Sequence, residues 1–250
     1  MAVSYTMRIL AADTSTMSGS LALLDDENLT AEWTLRSGQT HNRRLLKSID
    51  SLLREAGWDL ETIDAFAVAS GPGSFTGLRI GMATMKVLAW VRGKAYASIC
   101  SLDALALPFC FSTNPICALL DARKAEVYCA LYRPDGKGGL SLEIQHGAMT
   151  PSRLAESLLY KVSQPVIFCG DGWTAYRNTL RRKLGDLVFE PPAFFHIIRA
   201  ASIGELARRR FVKGESDDPR SSSPLYLRPS EAEIHYPHLA KTSSEKPEII

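Results

Sequence analysis

Ile9-Leu10-Ala11-Ala12-Asp13-Thr14-Ser15-Thr16, followed by the apolar run Ser20-Leu21-Ala22-Leu23-Leu24, has a counterpart in Ala118-Leu119-Leu120-Asp121-Ala122-Arg123-Lys124-Ala125, followed by Cys129-Ala130-Leu131-Tyr132. Each stretch reads as a buried strand, an aspartate, a polar turn and a return strand. The letters differ but the pattern repeats, which points to a duplicated unit. Working outward, Ala31 to Arg36 reads as a third strand. Asn42 to Gly57 then sets Leu45, Leu46, Ile49, Leu52, Leu53 and Ala56 at helical spacing with Gly57 as the stop. Ile63 to Ala69 is a buried strand, the glycine-rich Ser70 to Gly77 follows, a second helix runs to about Trp90, and Ala95 to Cys100 is a strand. The second half continues with strands over Leu142 to Met149 and Val166 to Cys169. Its helices are one starting at a Ser152 cap and two more near Trp173 to Leu184 and Ala201 to Val212. Two βββαβα-type subdomains are expected, over residues 1–105 and 106–212. Residues 213–250, with seven Ser and five Pro, should form an extended or disordered tail with one docking point at Pro224-Leu225-Tyr226-Leu227.

The chain has 250 residues, 46% hydrophobic and 22% charged, and 29 Lys and Arg stand against 27 Asp and Glu. These values exclude a disulfide-dependent miniature scaffold and a disordered or fibrous chain. A formal charge of +2 is too small to attract a polyanion through net charge alone. The cysteines Cys100, Cys110, Cys117, Cys129 and Cys169 form no C-x-x-C pair and read as small buried hydrophobes in a reducing compartment. The N-terminus reaches Asp13 before any signal core forms, and no apolar run has the length of a membrane span. A cytoplasmic protein is expected.

Ser70-Gly71-Pro72-Gly73-Ser74-Phe75-Thr76-Gly77 lies between a strand and a helix. One reading is an anion or nucleotide site in which Gly71, Gly73, Ser74 and Gly77 expose amides at the helix start, aided by Asp13, Thr14 and Ser15. The other is a tight turn in which Gly77 and Gly81 let a neighbouring helix come close. The loop lacks the lysine of a Walker loop and the spacing of a hydrolase elbow. Asp121 is expected to pair with Arg123, whereas Asp13 is open between turn capping and ligand binding. His41 precedes a helix, His146 and His196 are isolated, His235 and His238 lie in the tail, and no metal-binding histidine motif occurs. Arg181 to Lys183 and Arg208 to Arg210 offer basic clusters that solvated helix faces also favour. The second helix is apolar most of the way round, so Leu45, Ile49, Leu52, Leu53, Leu78, Met82 and Met85 are candidates for a subunit interface, with a helix buried inside its own chain as the alternative.

Ile9 to Thr16, His41, Ser70 to Gly81, Asp121-Ala122-Arg123, Glu126-Val127-Tyr128 and Pro224 to Arg228 together resemble the TsaB (YeaZ) family. The resemblance implies a duplicated α/β fold of the actin-like (ASKHA, ribonuclease H-like) kind. It also implies a non-catalytic part in forming N6-threonylcarbamoyladenosine at position 37 of tRNA. In that family the N-terminal helices pair with a TsaD-type catalytic homologue, a TsaE-type ATPase joins, tRNA is met through the complex, and homodimers form through the same helices. The catalytic relative holds metal with a histidine pair where this chain has His41-Asn42-Arg43-Arg44-Leu45, with a single histidine. No catalytic or metal residue and no cofactor is therefore assigned to the chain itself, and ATP or ADP with magnesium is left to the interface of the complex. The rival readings are a stand-alone nucleotide-binding hydrolase, either an ATPase or an M22-type glycoprotease-like peptidase, and an RNA-binding module.

Overall fold

The strand and helix order repeats as the paired motifs require. The computed structural model describes residues 6–36 and 45–228. In its first half β1 (Arg8–Asp13), β2 (Ser18–Asp25), β3 (Asn28–Arg36), α1 (Leu45–Glu55), β4 (Ala65–Gly71), α2 (Phe75–Arg92), β5 (Ala95–Cys100) and α3 (Ser101–Ala106) follow in order. The second half has β6 (Ile116–Arg123), β7 (Glu126–Pro134), β8 (Leu140–Met149), α4 (Pro151–Lys161), β9 (Val166–Cys169), α5 (Asp171–Leu184), β10 (Val188–Phe189) and α6 (Ala200–Val212). Each half forms a five-stranded sheet, ordered β3-β2-β1-β4-β5 and β8-β7-β6-β9-β10. The hairpin-linked strands pair antiparallel, whereas β1 with β4, β4 with β5, β6 with β9 and β9 with β10 pair parallel. A helical crossover is what a parallel pair needs. Each half is thus βββαβαβα, the first gaining α3 and the second gaining β10 beyond the elements expected. The α4 cap is Thr150, whose Oγ1 accepts from Arg153 N at 3.3 Å. Ser152 does not cap because Pro151 takes the first helical position, where a missing amide costs nothing.

The strands sort small and large residues to opposite faces. On the first sheet Leu10, Leu21, Leu23, Phe66, Val68 and Tyr96 face α1 and α2. Its other face carries Ala11, Ala22, Ala65, Ala67, Ala69 and Ala97 and joins one core with Ile116, Ala118, Leu120, Ala130 and Tyr132 of the second sheet. Cys117, Leu119, Cys129, Leu131 and Phe168 turn outward to α4 and α5. Between the sheets lie α3 and α6, giving the sequence of layers α1/α2, sheet, α3/α6, sheet, α4/α5. The alanines are small enough to admit helices on that inner face.

The halves exchange cover. α6 ends the second half in sequence but lies on β1, β2, β4 and β5 of the first. It approaches so closely that a Cβ on Gly204 would be 2.3 Å from Leu24 Cδ1 and 3.3 Å from Ala11 Cβ.

Residues 213–228, the described part of the tail expected to be extended or disordered, are held at several points. Asp217 N donates to Tyr96 O at 2.7 Å, and Leu225 N donates to Ser70 O at 2.8 Å. The Asp217 carboxylate accepts from Ser98 N at 2.8 Å and Ser98 Oγ at 2.7 Å, and it pairs with Arg210 at 2.5 Å. Lys86 Nζ donates to Ser222 O at 2.6 Å. Up to residue 222 backbone and polar side chains do this binding, whereas Leu227 packs against the apolar core. The expectations for His41 and for residues 229–250 lie outside the described residues.

Candidate functional site

The glycine-rich loop is pressed against the turn that follows β1. Ser15 N and Oγ donate to Asp13 Oδ1 at 2.9 and 2.6 Å, so the aspartate caps its own turn. Thr14 Oγ1 donates to Gly77 O at 2.7 Å, and Ser74 N donates to Ser15 O at 2.6 Å. Ser74 caps α2, its Oγ accepting from Gly77 N at 3.3 Å. A Cβ on Gly77 would lie 1.9 Å from Thr14 O, and one on Gly81 2.2 Å from Thr14 Oγ1. The two glycines therefore admit a backbone turn, and the neighbouring helix expected there is replaced by residues 14–15.

This packing bears on the nucleotide reading of Asp13, Thr14, Ser15, Gly71, Gly73, Ser74 and Gly77. Asp13, Thr14 and Ser15 are at most 1% exposed, Gly71 and Gly77 are buried, and the amides of Ser74 and Gly77 already donate within the chain. A phosphate site needs donors directed at solvent; the Ser74 and Gly77 amides turn into the chain instead, although Ser74 itself is exposed and Gly73 half-buried. In the second half, Arg123 N donates to Asp121 Oδ1 at 2.8 Å and the Arg123 guanidinium pairs with the same carboxylate at 3.1 Å. Asp121 N donates to Asp171 Oδ1 at 3.0 Å, and burial pushes the Asp171 carboxyl above its usual range. Asp121 thus closes its turn as its sequence context suggested.

The interface candidates need correction in detail. Leu45, Ile49, Leu52, Leu53, Leu78, Met82 and Met85 are 0–7% exposed, inside this chain. An amphipathic helix on a sheet turns its strongest apolar stripe inward, so these side chains serve the fold. The same two helices expose other apolar groups, namely Leu46 at 61%, Val87 at 55%, Trp90 at 64% and Val91 at 71%. With Ala83, also exposed, Val87, Trp90 and Val91 recur at the three- and four-residue steps that form one stripe along α2. Sequence reasoning did not choose these residues as interface candidates. Their signal was the all-round apolar character of a helix whose inner face was already marked by Gly77 and Gly81.

At the loop end of α2, Phe75 stacks on Tyr226 with ring centroids 5.6 Å apart. The Arg79 guanidinium sits 3.7 Å from the Phe75 centroid and donates to the Tyr226 hydroxyl at 3.2 Å. The expected docking segment is thus seated here.

The basic clusters are largely spent on carboxylates of the same chain. Arg208 and Arg209 each donate to Glu205 at 2.7 Å, Arg210 pairs with Asp217, Arg181 with Glu190, and Lys183 with Glu156 at 3.6 Å. Among the described residues no helix is long and apolar enough to cross a membrane.

With this geometry in view, the relatives decide the family. The model for TsaD, tRNA N6-adenosine threonylcarbamoyltransferase, matches residues 36–236. The tRNA threonylcarbamoyladenosine biosynthesis protein TsaB of Bacillus subtilis (strain 168) is 31% identical over 232 residues, covering 92% of this chain and 98% of that protein. The chain belongs to the TsaB family. The TsaB of Escherichia coli (strain K12) is 30% identical, covering 89% of this chain and 95% of that protein. Among solved structures, YeaZ from Pseudomonas aeruginosa gives a TM-score of 0.75 at 26% identity, covering 88% of this chain and 100% of that one. The two βββαβαβα halves are the duplicated actin-like arrangement that the resemblance to TsaB implied.

Proposed function

We propose that this chain acts in forming N6-threonylcarbamoyladenosine in tRNA as a non-catalytic subunit that docks a TsaD-type catalytic homologue. The pathway is supported by the TsaB relatives, which are named for it and match along nearly their whole length. The exposed apolar stripe Ala83, Val87, Trp90 and Val91 on α2, with Leu46 on α1, carries the docking reading. An exposed Trp flanked by aliphatic residues is the composition of an interface centre, where burial of aromatic area dominates affinity. A homologous partner has an equivalent helix pair to set against this one, and the same faces join two copies when that partner is absent. A TsaE-type ATPase and tRNA are met through the complex, and a role on tRNA fits a cytoplasmic location.

The self-bonded loop and turn at residues 13–15 and 71–77 speak against a stand-alone nucleotide hydrolase. The test is reconstitution on unmodified tRNA with the catalytic homologue, the ATPase and the adenylate-forming enzyme. Product should appear only when this chain is added, and the chain alone should turn over nothing. Equal product without it refutes the proposal.

A further inference from the structure

Away from these surfaces, one junction gathers reactive side chains from well-separated stretches of sequence. Cys100 ends β5, Asp103 lies in the first turn of α3, Tyr132 is on β7 and His146 on β8. The first half thus supplies a thiol and a carboxylate, and the second an imidazole and a phenol. Tyr132 Oη donates to Asp103 Oδ1 at 2.6 Å and lies 3.1 Å from His146 Nε2. Nε2 is itself 2.8 Å from Asp103 Oδ1. The Cys100 Sγ, a carboxylate oxygen of Asp103 and a ring nitrogen of His146 all lie within 4.8 Å of one another, and all three residues are partly buried.

We propose that Cys100, Asp103 and His146 form a site for a borderline-soft divalent cation of the zinc type, which ties the β5–α3 junction of the first half to β8 of the second. Bonds of about 2.0–2.3 Å to S, N and O ligands put tetrahedral donors about 3.4–3.6 Å apart, so the observed cluster closes on a cation through small side-chain adjustments. A thiolate and an imidazole in one set select zinc-like ions over magnesium or calcium, which take oxygen. Three protein donors leave the fourth position to water, as in an open zinc site. Tyr132 is the outer partner that orients the carboxylate, a role metal ligands commonly need filled. In the metal-free chain the hydrogen bond between Asp103 and His146 holds both ligands near their bound positions. Cys117, Cys129 and Cys169 differ in kind: they are fully buried, and burial pushes their thiols up.

The test is titration of the chelator-treated full-length chain with Co2+, read by absorbance. One equivalent should give a thiolate-to-cobalt charge-transfer band with tetrahedral visible bands, and Zn2+ should displace it. Cys100→Ser should remove the charge-transfer band, and Tyr132→Phe should weaken Zn2+ binding about 10- to 100-fold. Zn2+ should also slow alkylation of Cys100 by iodoacetamide, measured on the unsubstituted chain by peptide mass. A folded chain with no charge-transfer band, a band that survives Cys100→Ser, or an alkylation rate indifferent to Zn2+ each overturns the proposal. The alkylation experiment decides even if the variants fail to fold.

Discussion

Replacing Gly77 with alanine separates two physical effects that act in opposite directions. Helix propensity alone favours alanine over glycine inside α2 by about 1 kcal/mol. Against this, the new Cβ would stand 1.9 Å from Thr14 O, a backbone atom that cannot swing aside. Moving either element strains a packed region, at the upper end of about 1–3 kcal/mol for overpacking. It also lengthens the bond from Thr14 Oγ1 to Gly77 O, now 2.7 Å, which contributes about 1 kcal/mol. The balance is a loss of about 3 kcal/mol, or roughly 6–12 °C in Tm for a chain of this size. Urea and thermal unfolding followed by circular dichroism measure it, with the exposed Thr76→Ala as the reference for propensity. A Gly77→Ala chain as stable as the original, or more stable, refutes the account of this loop as a seat for residues 14–15.

Trp90→Glu should abolish co-purification with the TsaD-type homologue while changing stability by no more than about 0.5 kcal/mol, because the side chain is 64% exposed. Leu53→Glu, at a position only 6% exposed, should instead fail in the soluble-expression and circular-dichroism assays. Asp217→Asn should cost about 2 kcal/mol at neutral pH, read from urea unfolding, because it weakens charge-assisted bonds to Ser98 and Arg210. Burial pushes the Asp217 carboxyl up, but the bonds from Arg210 and Ser98 outweigh it and hold the pKa below its usual 3.8. Its stabilising contribution is therefore present above about pH 3.8 and fades as pH falls through the lower folded value. The gap between the original chain and Asp217→Asn should narrow over that acid range. Tyr226→Ala removes the stack on Phe75 and the bond to Arg79 and should speed limited proteolysis after residue 220 without a comparable loss of global stability.

The strands and their duplication were legible because alternation and aspartate-ended apolar runs are local signals. Two elements escaped for want of length: β10 has two residues and α3 six, too few for a period to show. The position of α6 escaped for a different reason, since periodicity gives a helix its inner face but not the sheet it covers. Gly204 and the alanines of β4 carried that information only jointly. At the interface, a helix apolar on both sides gave no ground for choosing between faces, and the larger, more regular residues chosen were those the core required. The loop was open between two readings because glycine serves both an anion and a close neighbour. Only the distance to Thr14 decides between them. His146 read as isolated because its partners, Cys100 and Asp103, come from the other half, and no spacing rule spans that distance.

The placement of α6 bears on how the chain is made. Residues 8–100 leave the ribosome with every strand of the first sheet present, yet the helix that covers its alanine-lined side, Ala200–Val212, follows only after the whole stretch from residue 101 to 199 has been made. At about 5–20 residues per second, that interval is on the order of ten seconds. During it the nascent sheet shows an apolar surface that no earlier part of the chain can cover completely. Completion of the first half therefore waits on translation of the second, and a chaperone able to shield that surface in the meantime should raise the yield of folded protein.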